Sequence, residues 1–245
     1  MLRSSQNLPE RVRALRARMA AAAASAGRNV DSVTLLAVSK GHSAERIRAA
    51  AAAGVTDIGE SYLAEALDKL EALADLPLVW HFIGRLQANK TRHVAERFAW
   101  VHGLDRLKIA ERLSAQRPYH APALNVCLQV NLAGEGTKGG VPAPEVPALA
   151  TAVAALPRLA LRGLMCIPPE ETDPARQHEW FARLRRLQDS LNTGGLRLDT
   201  LSMGMSGDFE AAIQEGATIV RIGTALFGPR GSTQQPAPPG TIAAP

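Results

Sequence analysis

The chain has few aromatic residues, only two cysteines and no long apolar run. Aromatic residues make up 4% of its 245 residues. No apolar stretch approaches the ~20 residues that a helix needs to cross a bilayer. The amino-terminal segment 1–27 is basic, but arginines interrupt its apolar residues, which recur at helical spacing. We interpret it as an amphipathic helix rather than a signal peptide, and expect a cytoplasmic protein with no membrane partner.

Cysteine is too scarce for a disulfide framework. Cys127 and Cys166 lie inside separate apolar stretches with strand-like sequence. This placement favours buried free thiols in a reducing compartment over a disulfide. The six histidines are scattered, and no Cys/His cluster has the spacing of metal ligands, so we expect no metal site.

Acidic residues are outnumbered, 23 Asp and Glu against 28 Lys and Arg, which gives a net charge of +5. The arginines alternate with acids along predicted helices, and no dense basic block is interleaved with aromatic residues. We interpret these stretches as solvated helix faces and expect no nucleic-acid partner. RNA binding is the non-enzymatic alternative, which a salt-dependent gel shift would detect.

What the chain does have is a regular alternation of strand and helix patterns. Strand patterns cover residues 33–39, 56–58, 79–83, 100–104, 124–131, 159–167, 199–203 and 218–222. Helical patterns cover residues 44–53, 63–73, 90–98, 106–116, 143–156, 174–192 and 209–215, with a short helical turn after the last strand. Eight such units in this length favour the α/β class and a single closed (β/α)8 TIM barrel with an extra amino-terminal helix. We expect the barrel over 1–228 and a disordered, Pro-rich tail over 229–245.

Lysine is rare, and one of the five lysines ends a predicted core strand. The stretch 33–40, VTLLAVSK, has the pattern of a buried strand and ends in Lys40, in a chain with 23 arginines. A lysine amine that loses its proton can attack a carbonyl, whereas arginine stays protonated. Lys40 is therefore a candidate nucleophile. The alternative is a lysine that reaches solvent from the strand end.

The loops after the last two predicted strands carry small residues and hydroxyls. GMSGD at 204–208 and IGTALFG at 222–228 supply Ser206, Gly223 and Thr224 at the barrel face where sites form. Glycines let backbone N–H groups approach an anion, and a helix start adds partial positive charge. Two such loops at adjacent strand ends indicate a phosphate site, although ordinary turn chemistry also favours Ser and Gly there.

Arg221 lies inside the last predicted strand, where its alternation with Val220 and Ile222 points it to the opposite face. A guanidinium inside a small barrel needs a partner, either a structural ion pair or the ring nitrogen of a ligand. An amine, a phosphate site and this arginine together suit pyridoxal 5′-phosphate (PLP), which has an aldehyde, a phosphate and a pyridine nitrogen. We therefore expect PLP as cofactor, in a Schiff base with Lys40.

Seven stretches between residues 33 and 228 occur in the order typical of one protein family. They are LLAVSK (35–40), GESY (59–62), WHFIGRLQANK (80–90), LQVNLAGEGTKGG (128–140), LRGLMCIPP (161–169), LSMGMSGDFEAAIQEGAT (201–218) and VRIGTALFG (220–228). Together they resemble the pyridoxal phosphate homeostasis proteins, stand-alone relatives of the amino-terminal barrel of alanine racemase. The resemblance implies a PLP-binding barrel with the Schiff base on Lys40, phosphate contacts from Ser206, Gly223 and Thr224, and Arg221 at the pyridine nitrogen.

Three further residues at strand ends complete the expected cofactor-binding set: Ser61, His81 and Met205. The chain departs from the family pattern at Ser61, where the family usually has Asn, so one donor replaces the two of an amide. A glycine also follows Ser206, where the family often has Asp. Lys138, in the Gly-rich loop, matches a family lysine; a solvated loop lysine is the simpler interpretation, and we leave it out of the set.

The same features favour a binding protein over an enzyme. Arginine at the ring nitrogen does not give up a proton and leaves the ring a weak electron sink. Racemisation through two bases also needs a group opposite the lysine, and Tyr62 is the only candidate, since Tyr119 lies in a Pro-rich connector. We expect a monomeric protein of PLP homeostasis that acts in cofactor supply and in amino-acid and keto-acid balance, without robust catalysis, with PLP-dependent apo-enzymes as partners.

Two enzyme classes remain as alternatives. One is a small PLP-dependent racemase or lyase completed by a partner subunit, which chiral analysis of amino acids would reveal. The other is a class I aldolase, which usually has its Schiff-base lysine on a later strand. The stretch LRGLMCI at 161–167 has no lysine, and a screen with sugar phosphates would test this class.

Overall fold

A computed structural model describes residues 7–134 and 139–229 of the chain. Its strands are short and largely buried, as expected of strands that are covered on both faces. Within the described ranges they are β1 (Thr34–Val38), β2 (Asp57–Glu60), β3 (Val79–Phe82), β4 (Trp100–Leu104), β5 (Leu124–Asn131), β6 (Val141–Pro142), β7 (Leu159–Cys166), β8 (Thr200–Ser202) and β9 (Ile219–Ile222).

Eight of these strands close into a parallel barrel. Neighbours pair in the order β1-β2-β3-β4-β5-β7-β8-β9, and β9 returns to β1 with Leu36 opposite Arg221. The two-residue β6 pairs only with β5, outside the ring. The predicted (β/α)8 barrel is therefore confirmed, and all eight predicted strands are present in it.

Helices follow the barrel strands around the outside. They are α1 (Leu8–Ser25), α2 (Ala44–Ala52), α3 (Leu63–Ala72), α4 (Thr91–Arg97), α5 (Leu107–Gln116), α6 (Val146–Ala154), α7 (Pro174–Thr193), α8 (Phe209–Gln214) and α9 (Thr224–Phe227). Strands β4 and β5 have the predicted bounds, and most other predicted ends differ by one or two residues. The predicted helix over 143–156 begins instead with a 3-10 turn, Ala143–Glu145, followed by α6. Strand β6 was not predicted, because two residues carry no periodic pattern.

Local signals explain where the two longest helices begin. At α1 the Asn7 side chain accepts a hydrogen bond from the Glu10 backbone N–H, and Pro9 lies in the first turn. At α7 the Asp173 side chain accepts from the Ala175 N–H, and Pro174 is the first helical residue. A side-chain acceptor followed by proline is a typical start signal, since it satisfies a free N–H and presets the backbone.

The extra helix α1 occupies the outer layer where the eighth helix of the barrel is too short. Helix α9 has only four residues, and α1 packs against α8, α9 and α2. The Arg18 guanidinium pairs with Glu210 and lies 4.5 Å from the centre of the Phe209 ring. On the inner face of α1, Leu15 and Met19 are each 3% exposed. The helix is therefore part of the core rather than an appendage.

Other predictions have different outcomes. Cys127 on β5 and Cys166 on β7 are free and buried as predicted, and burial raises the pKa of each thiol to about 12. None of the helices in the described part of the chain is long and apolar enough to cross a membrane. Lys138 and residues 230–245 of the predicted tail lie outside the described residues, so the division at residue 228 stays a prediction.

We expect Leu15→Ala to lower the free energy of unfolding by about 2–5 kcal/mol, because it leaves a cavity beneath α1. Urea denaturation followed by far-UV circular dichroism measures this change. Arg13→Ala, on the exposed face of the same helix, is the matched control and should be close to neutral. Equal stability of both variants would show that α1 does not contribute to the core.

Candidate functional site

One cavity lies at the carboxyl ends of the barrel strands and brings most of the predicted site residues together. Its volume is about 640 Å³. Seven of the eight predicted residues line it: Lys40, Ser61, Met205, Ser206, Arg221, Gly223 and Thr224. Sequence reasoning did not select the other lining residues: Val38, Ile83, Gly84, Arg85, Gln129, Gly139, Ile167, Glu170 and Gly207. Polar groups from both ends of the chain thus meet in one concave site.

Lys40 lies in a tight turn two residues beyond the end of β1. The turn is closed by the His42 N–H, which donates to the Ser39 carbonyl at 3.0 Å. Gly41 has φ +73°, in the left-handed region that only glycine adopts readily. The Lys40 side chain is half-buried and reaches the cavity. The turn therefore holds the lysine at the rim of the barrel rather than in an extended loop.

An ion-pair network centred on the buried Lys69 holds this turn in place. Lys69 Nζ donates to the Ser39 carbonyl at 2.8 Å, to Glu60 Oε1 at 2.6 Å and to Glu65 Oε1 at 2.6 Å. Glu65 accepts in addition from the Gly41 N–H at 2.6 Å, and Glu60 accepts from the Ser39 hydroxyl at 2.5 Å. The backbone on both sides of Lys40 is thus bound to one charged network.

Within this network, burying the carboxylate of Glu60 costs the most folding free energy. The residue is 0% exposed, and its Oε2 atom has no hydrogen-bond partner among the described residues. Burial raises the pKa of Glu60, and the Lys69 ammonium opposes that shift. A buried carboxylate survives only with a close cation and good hydrogen bonds, so Lys69 is essential to it. Sequence reasoning missed Lys69, although the i, i+4 spacing from Glu65 was a usable signal.

The two candidate phosphate loops meet at the cavity, after the adjacent strands β8 and β9. The Ser206 hydroxyl accepts a hydrogen bond from the Ala225 N–H at 3.3 Å, which ties the loop after β8 to α9. Within that loop the Asp208 carboxylate accepts from the Met205 N–H at 2.6 Å, and burial raises the pKa of Asp208. Gly223 caps α9, and both loops line the cavity with small residues. The arrangement places backbone groups and the hydroxyl-bearing residues Ser206 and Thr224 at the cavity.

Arg221 projects from β9 into the barrel and is 5% exposed. Its Nη1 donates to the Ser202 carbonyl at 2.6 Å and to the Ser202 hydroxyl at 3.0 Å, and its Nη2 donates to the Cys166 carbonyl at 2.8 Å. No carboxylate among residues 7–134 and 139–229 lies within ion-pair distance of it. Burial lowers the pKa of Arg221, although a guanidinium stays protonated at any ordinary pH. Of the two partners considered from sequence, the structural ion pair is therefore absent from the described residues.

His81 is the one predicted site residue that the structure does not bring to the cavity. It is 1% exposed, inside the barrel, with Nε2 3.1 Å from Asp57 Oδ1 and Nδ1 2.9 Å from His102 Nε2. Its ring stacks on Trp100 with centroids 5.5 Å apart. Both ring nitrogens are thus occupied by protein groups, which leaves none for a direct ligand contact. Burial lowers the pKa of His81, although Asp57 opposes this shift, and the lowering favours the neutral ring.

Close backbone packing at the rim requires two glycines. A Cβ on Gly84 would lie 2.3 Å from the Ser61 carbonyl oxygen, and a Cβ on Gly103 would lie 2.5 Å from the Gly84 carbonyl oxygen. Both distances are shorter than real contacts allow, so β2, β3 and β4 approach one another only because these residues lack side chains. This approach holds Ser61 at the edge of the cavity.

Comparison with known proteins places this geometry in a family. The model of the alanine racemase N-terminal domain matches residues 11–231. The chain is 60% identical to the pyridoxal phosphate homeostasis protein of Pseudomonas aeruginosa over 223 residues, which are 91% of this chain and 96% of that protein. The chain belongs to the pyridoxal phosphate homeostasis protein family. The resemblance identified from the sequence motifs is confirmed.

Other members of the homeostasis protein family show the same similarity. The pyridoxal phosphate homeostasis protein of Escherichia coli K12 is 49% identical over 219 residues, covering 88% of this chain and 94% of that protein. Among solved structures, PipY of Synechococcus elongatus with PLP bound has a TM-score of 0.81 at 38% identity, covering 91% of this chain and 100% of PipY. The barrel of this family member therefore has close relatives over nearly its whole length.

We expect Gly84→Ala to destabilise the protein by about 1–3 kcal/mol, because the new Cβ would collide with the Ser61 backbone. Thermal unfolding measured by circular dichroism tests this expectation. Gly207→Ala is the control, since it lines the same cavity and its Cβ would meet nothing within 4 Å. If both variants unfold at the parental temperature, the proposed close approach of the strand ends is wrong.

We expect Lys69→Met to lower the free energy of unfolding by about 3–5 kcal/mol, because it leaves the Glu60 carboxylate buried without a cation. The double variant Lys69→Met/Glu60→Gln should recover much of that loss, since the uncompensated charge is gone. A double-mutant cycle in urea measures the coupling. Arg48→Ala, which breaks an exposed ion pair with Asp75, should change stability little. Additive effects at positions 60 and 69 would contradict the network.

Proposed function

We propose that this chain binds pyridoxal 5′-phosphate in the cavity at the carboxyl ends of the strands and acts in PLP homeostasis. One observation carries the proposal: Lys40, the Ser206 and Gly223 loops, and Arg221 line a single cavity although they come from opposite ends of the sequence. PLP needs an amine for its aldehyde, donors for its phosphate and a neighbour for its ring nitrogen. The name of the relatives and the PLP bound to PipY support the same ligand.

The residues present fit this ligand. Lys40 supplies the amine for a Schiff base, and the loops with Ser206, Gly223 and Thr224 supply donors for the phosphate. Arg221 supplies N–H groups at the cavity: its Nε makes no hydrogen bond with any described residue, and the guanidinium donates but never accepts. An unprotonated ring nitrogen is the acceptor that such a donor matches.

Bound PLP supplies an electron sink for chemistry at the α-carbon of amino acids. The chain's own residues weaken that sink. Arg221 keeps its protons and therefore leaves the ring nitrogen unprotonated, whereas an acidic partner would hold a proton there. Lys69 and Glu65 hold the turn that carries Lys40, so the amine is oriented towards the cavity. These residues bind and orient the ligand, and none of them makes its ring a stronger electron sink.

We propose that the protein lacks robust catalysis and acts in cofactor supply and in amino-acid and keto-acid balance. Neither Tyr62 nor Tyr119 is among the described residues that line the Lys40 cavity; they are 61% and 90% exposed. A two-base racemisation needs a second group there, opposite the lysine. PLP-dependent apo-enzymes as recipients, a monomeric state and a cytoplasmic location complete the proposal.

We expect the purified protein, incubated with PLP and dialysed, to show the visible absorbance of an imine, and Lys40→Ala to lose it to baseline. Borohydride reduction followed by peptide mass spectrometry should place the label on Lys40, because that amine lines the cavity. Lys108→Ala, at an exposed position of α5, is the matched control and should keep the parental absorbance. An equally yellow Lys40→Ala protein would contradict the assignment.

The same preparation tests the absence of robust catalysis. The PLP-loaded protein is incubated with single enantiomers of amino acids, and the products are separated by chiral chromatography. Inversion at a rate within the usual range of enzymes, about 1–1,000 per second, would favour a racemase and contradict the proposed homeostatic role.

A further inference from the structure

A continuous line of polar side chains runs through the barrel interior and ends at Arg221. Asp57 Oδ1 lies 3.1 Å from His81 Nε2, and His81 Nδ1 lies 2.9 Å from His102 Nε2. His102 Nδ1 lies 2.7 Å from the Ser202 hydroxyl, which lies 3.0 Å from Arg221 Nη1. The five side chains come from β2, β3, β4, β8 and β9. We call them the interior chain.

The interior chain connects the two ends of the barrel. Asp57 is the first residue of β2, and its side chain is 24% exposed at the amino-terminal end. His81, His102 and Ser202 are no more than 1% exposed, and Arg221 lines the ligand cavity at the other end. Buried polar groups persist when they are hydrogen-bonded, and here each one is bonded to its neighbours in the chain.

The Asp57 carboxylate can only accept, and this fixes the direction of the bonds. His81 therefore carries its proton on Nε2 and donates to Asp57. With both rings neutral, His81 Nδ1 accepts from His102 Nε2, and His102 Nδ1 accepts the one hydrogen of the Ser202 hydroxyl. Arg221 can only donate, so the Ser202 hydroxyl accepts from its Nη1. One arrangement of protons satisfies all four contacts with both imidazoles neutral.

We propose that Asp57, His81, His102 and Ser202 are positioning residues that hold Arg221 in its donor orientation at the ligand cavity, through this single directed chain of hydrogen bonds. The part of the proposal that concerns the ligand rests on the proposed PLP function. The chain also gives His81 a role: it acts on the ligand through His102, Ser202 and Arg221 rather than by contact.

The surroundings of the two imidazoles support their neutral state. The charged groups that reach them are Asp57 at one end and Arg221 at the other, and burial lowers the pKa of both rings. For His102 the neighbouring His81 and the Arg221 charge lower the pKa further. Trp100 contacts both rings, and the Arg162 guanidinium lies 5.4 Å from the centre of the Trp100 ring. Burial therefore favours the neutral form of both rings.

Nitrogen-15 NMR of the histidine-labelled, ligand-free full-length protein tests the direction of the chain without any cofactor. Both buried rings should show a protonated Nε2 and an unprotonated Nδ1 at about pH 8, where an ordinary histidine is neutral. His81→Gln and His102→Gln assign the two signals. A protonated Nδ1 on either ring at that pH would overturn the proposal.

Asp57→Asn tests the far end of the chain. An amide both donates and accepts, so it no longer dictates one direction, and both rings should become mixtures of the two tautomers. Asp199→Asn is the matched control: Asp199 lies just before β8 at the same end of the barrel and pairs with Arg162 instead of a histidine. It should leave the histidine signals unchanged. Unchanged tautomers in Asp57→Asn would overturn the directing role of Asp57.

Ser202→Ala tests the effect on the ligand. It removes the hydroxyl that bonds both His102 and Arg221, and PLP affinity measured by the imine absorbance should fall about tenfold. Ser202→Thr restores a hydroxyl and should recover most of the affinity, which a merely structural role would not predict. Parental affinity in Ser202→Ala would overturn the positioning role.

The two failures are distinguishable. If the parent protein shows no PLP absorbance while both histidines carry their proton on Nε2, the proposed function fails and the directed chain stands. If the parent binds PLP and the tautomers differ from those expected, the positioning proposal fails alone. The tautomers are measured on the parent protein. The proposal therefore stays testable even if Asp57→Asn or Ser202→Ala fails to fold.

Discussion

The structure depends on a permanent cation in the middle of a small barrel. Arg221 lies on the strand that closes the ring against β1, so its guanidinium cannot leave the interior without opening the barrel. Burying a charge without compensation is costly, and here carbonyl and hydroxyl oxygens supply the compensation instead of a carboxylate. The positive charge therefore stays available to whatever occupies the cavity. This single constraint explains why polar groups from five strands converge on the barrel axis.

The barrel places two lysines close to each other in different surroundings. Lys69 is 6% exposed and has two carboxylates and a carbonyl as acceptors, so it is a structural cation. Lys40 lies one residue beyond the carbonyl that Lys69 holds, and it faces the cavity. Because the Lys69 ammonium binds the Ser39 carbonyl, it holds the backbone of the turn from which the Lys40 side chain starts. Two of the five lysines in this arginine-rich chain thus lie at or beneath one turn.

The sequence was sufficient for the architecture and for part of the cavity. Alternation of apolar strands and helices predicted all eight barrel strands, and the rule that sites form at strand ends led to seven of the residues that line the cavity. His81 shows the limit of that rule. It is the third residue of the short β3 and faces the interior below the cavity, and this depth depends on how the strands are staggered around the ring. No local pattern contains that information.

The same limit applies to the partners of Arg221. Ser202 and His102 are polar residues flanked by apolar ones, which indicates that they face inwards, but their contact joins residues 100 positions apart. The pairing of Glu60 with Lys69 is similar, because helical spacing relates Lys69 to Glu65 and not to the strand beside it. Local patterns predict which elements form, and the closed ring then decides which side chains meet.

The position of α1 has a consequence for how the protein is made. This helix is synthesised nearly two hundred residues before α8 and α9, which form most of the surface that it packs against. Strand β1 likewise cannot pair with β9 until β9 has been synthesised. Contacts so distant in sequence slow folding, because the chain must close a long loop before they form. Until those contacts form, the apolar face of α1 stays uncovered, and uncovered apolar surface makes a folding chain prone to aggregation.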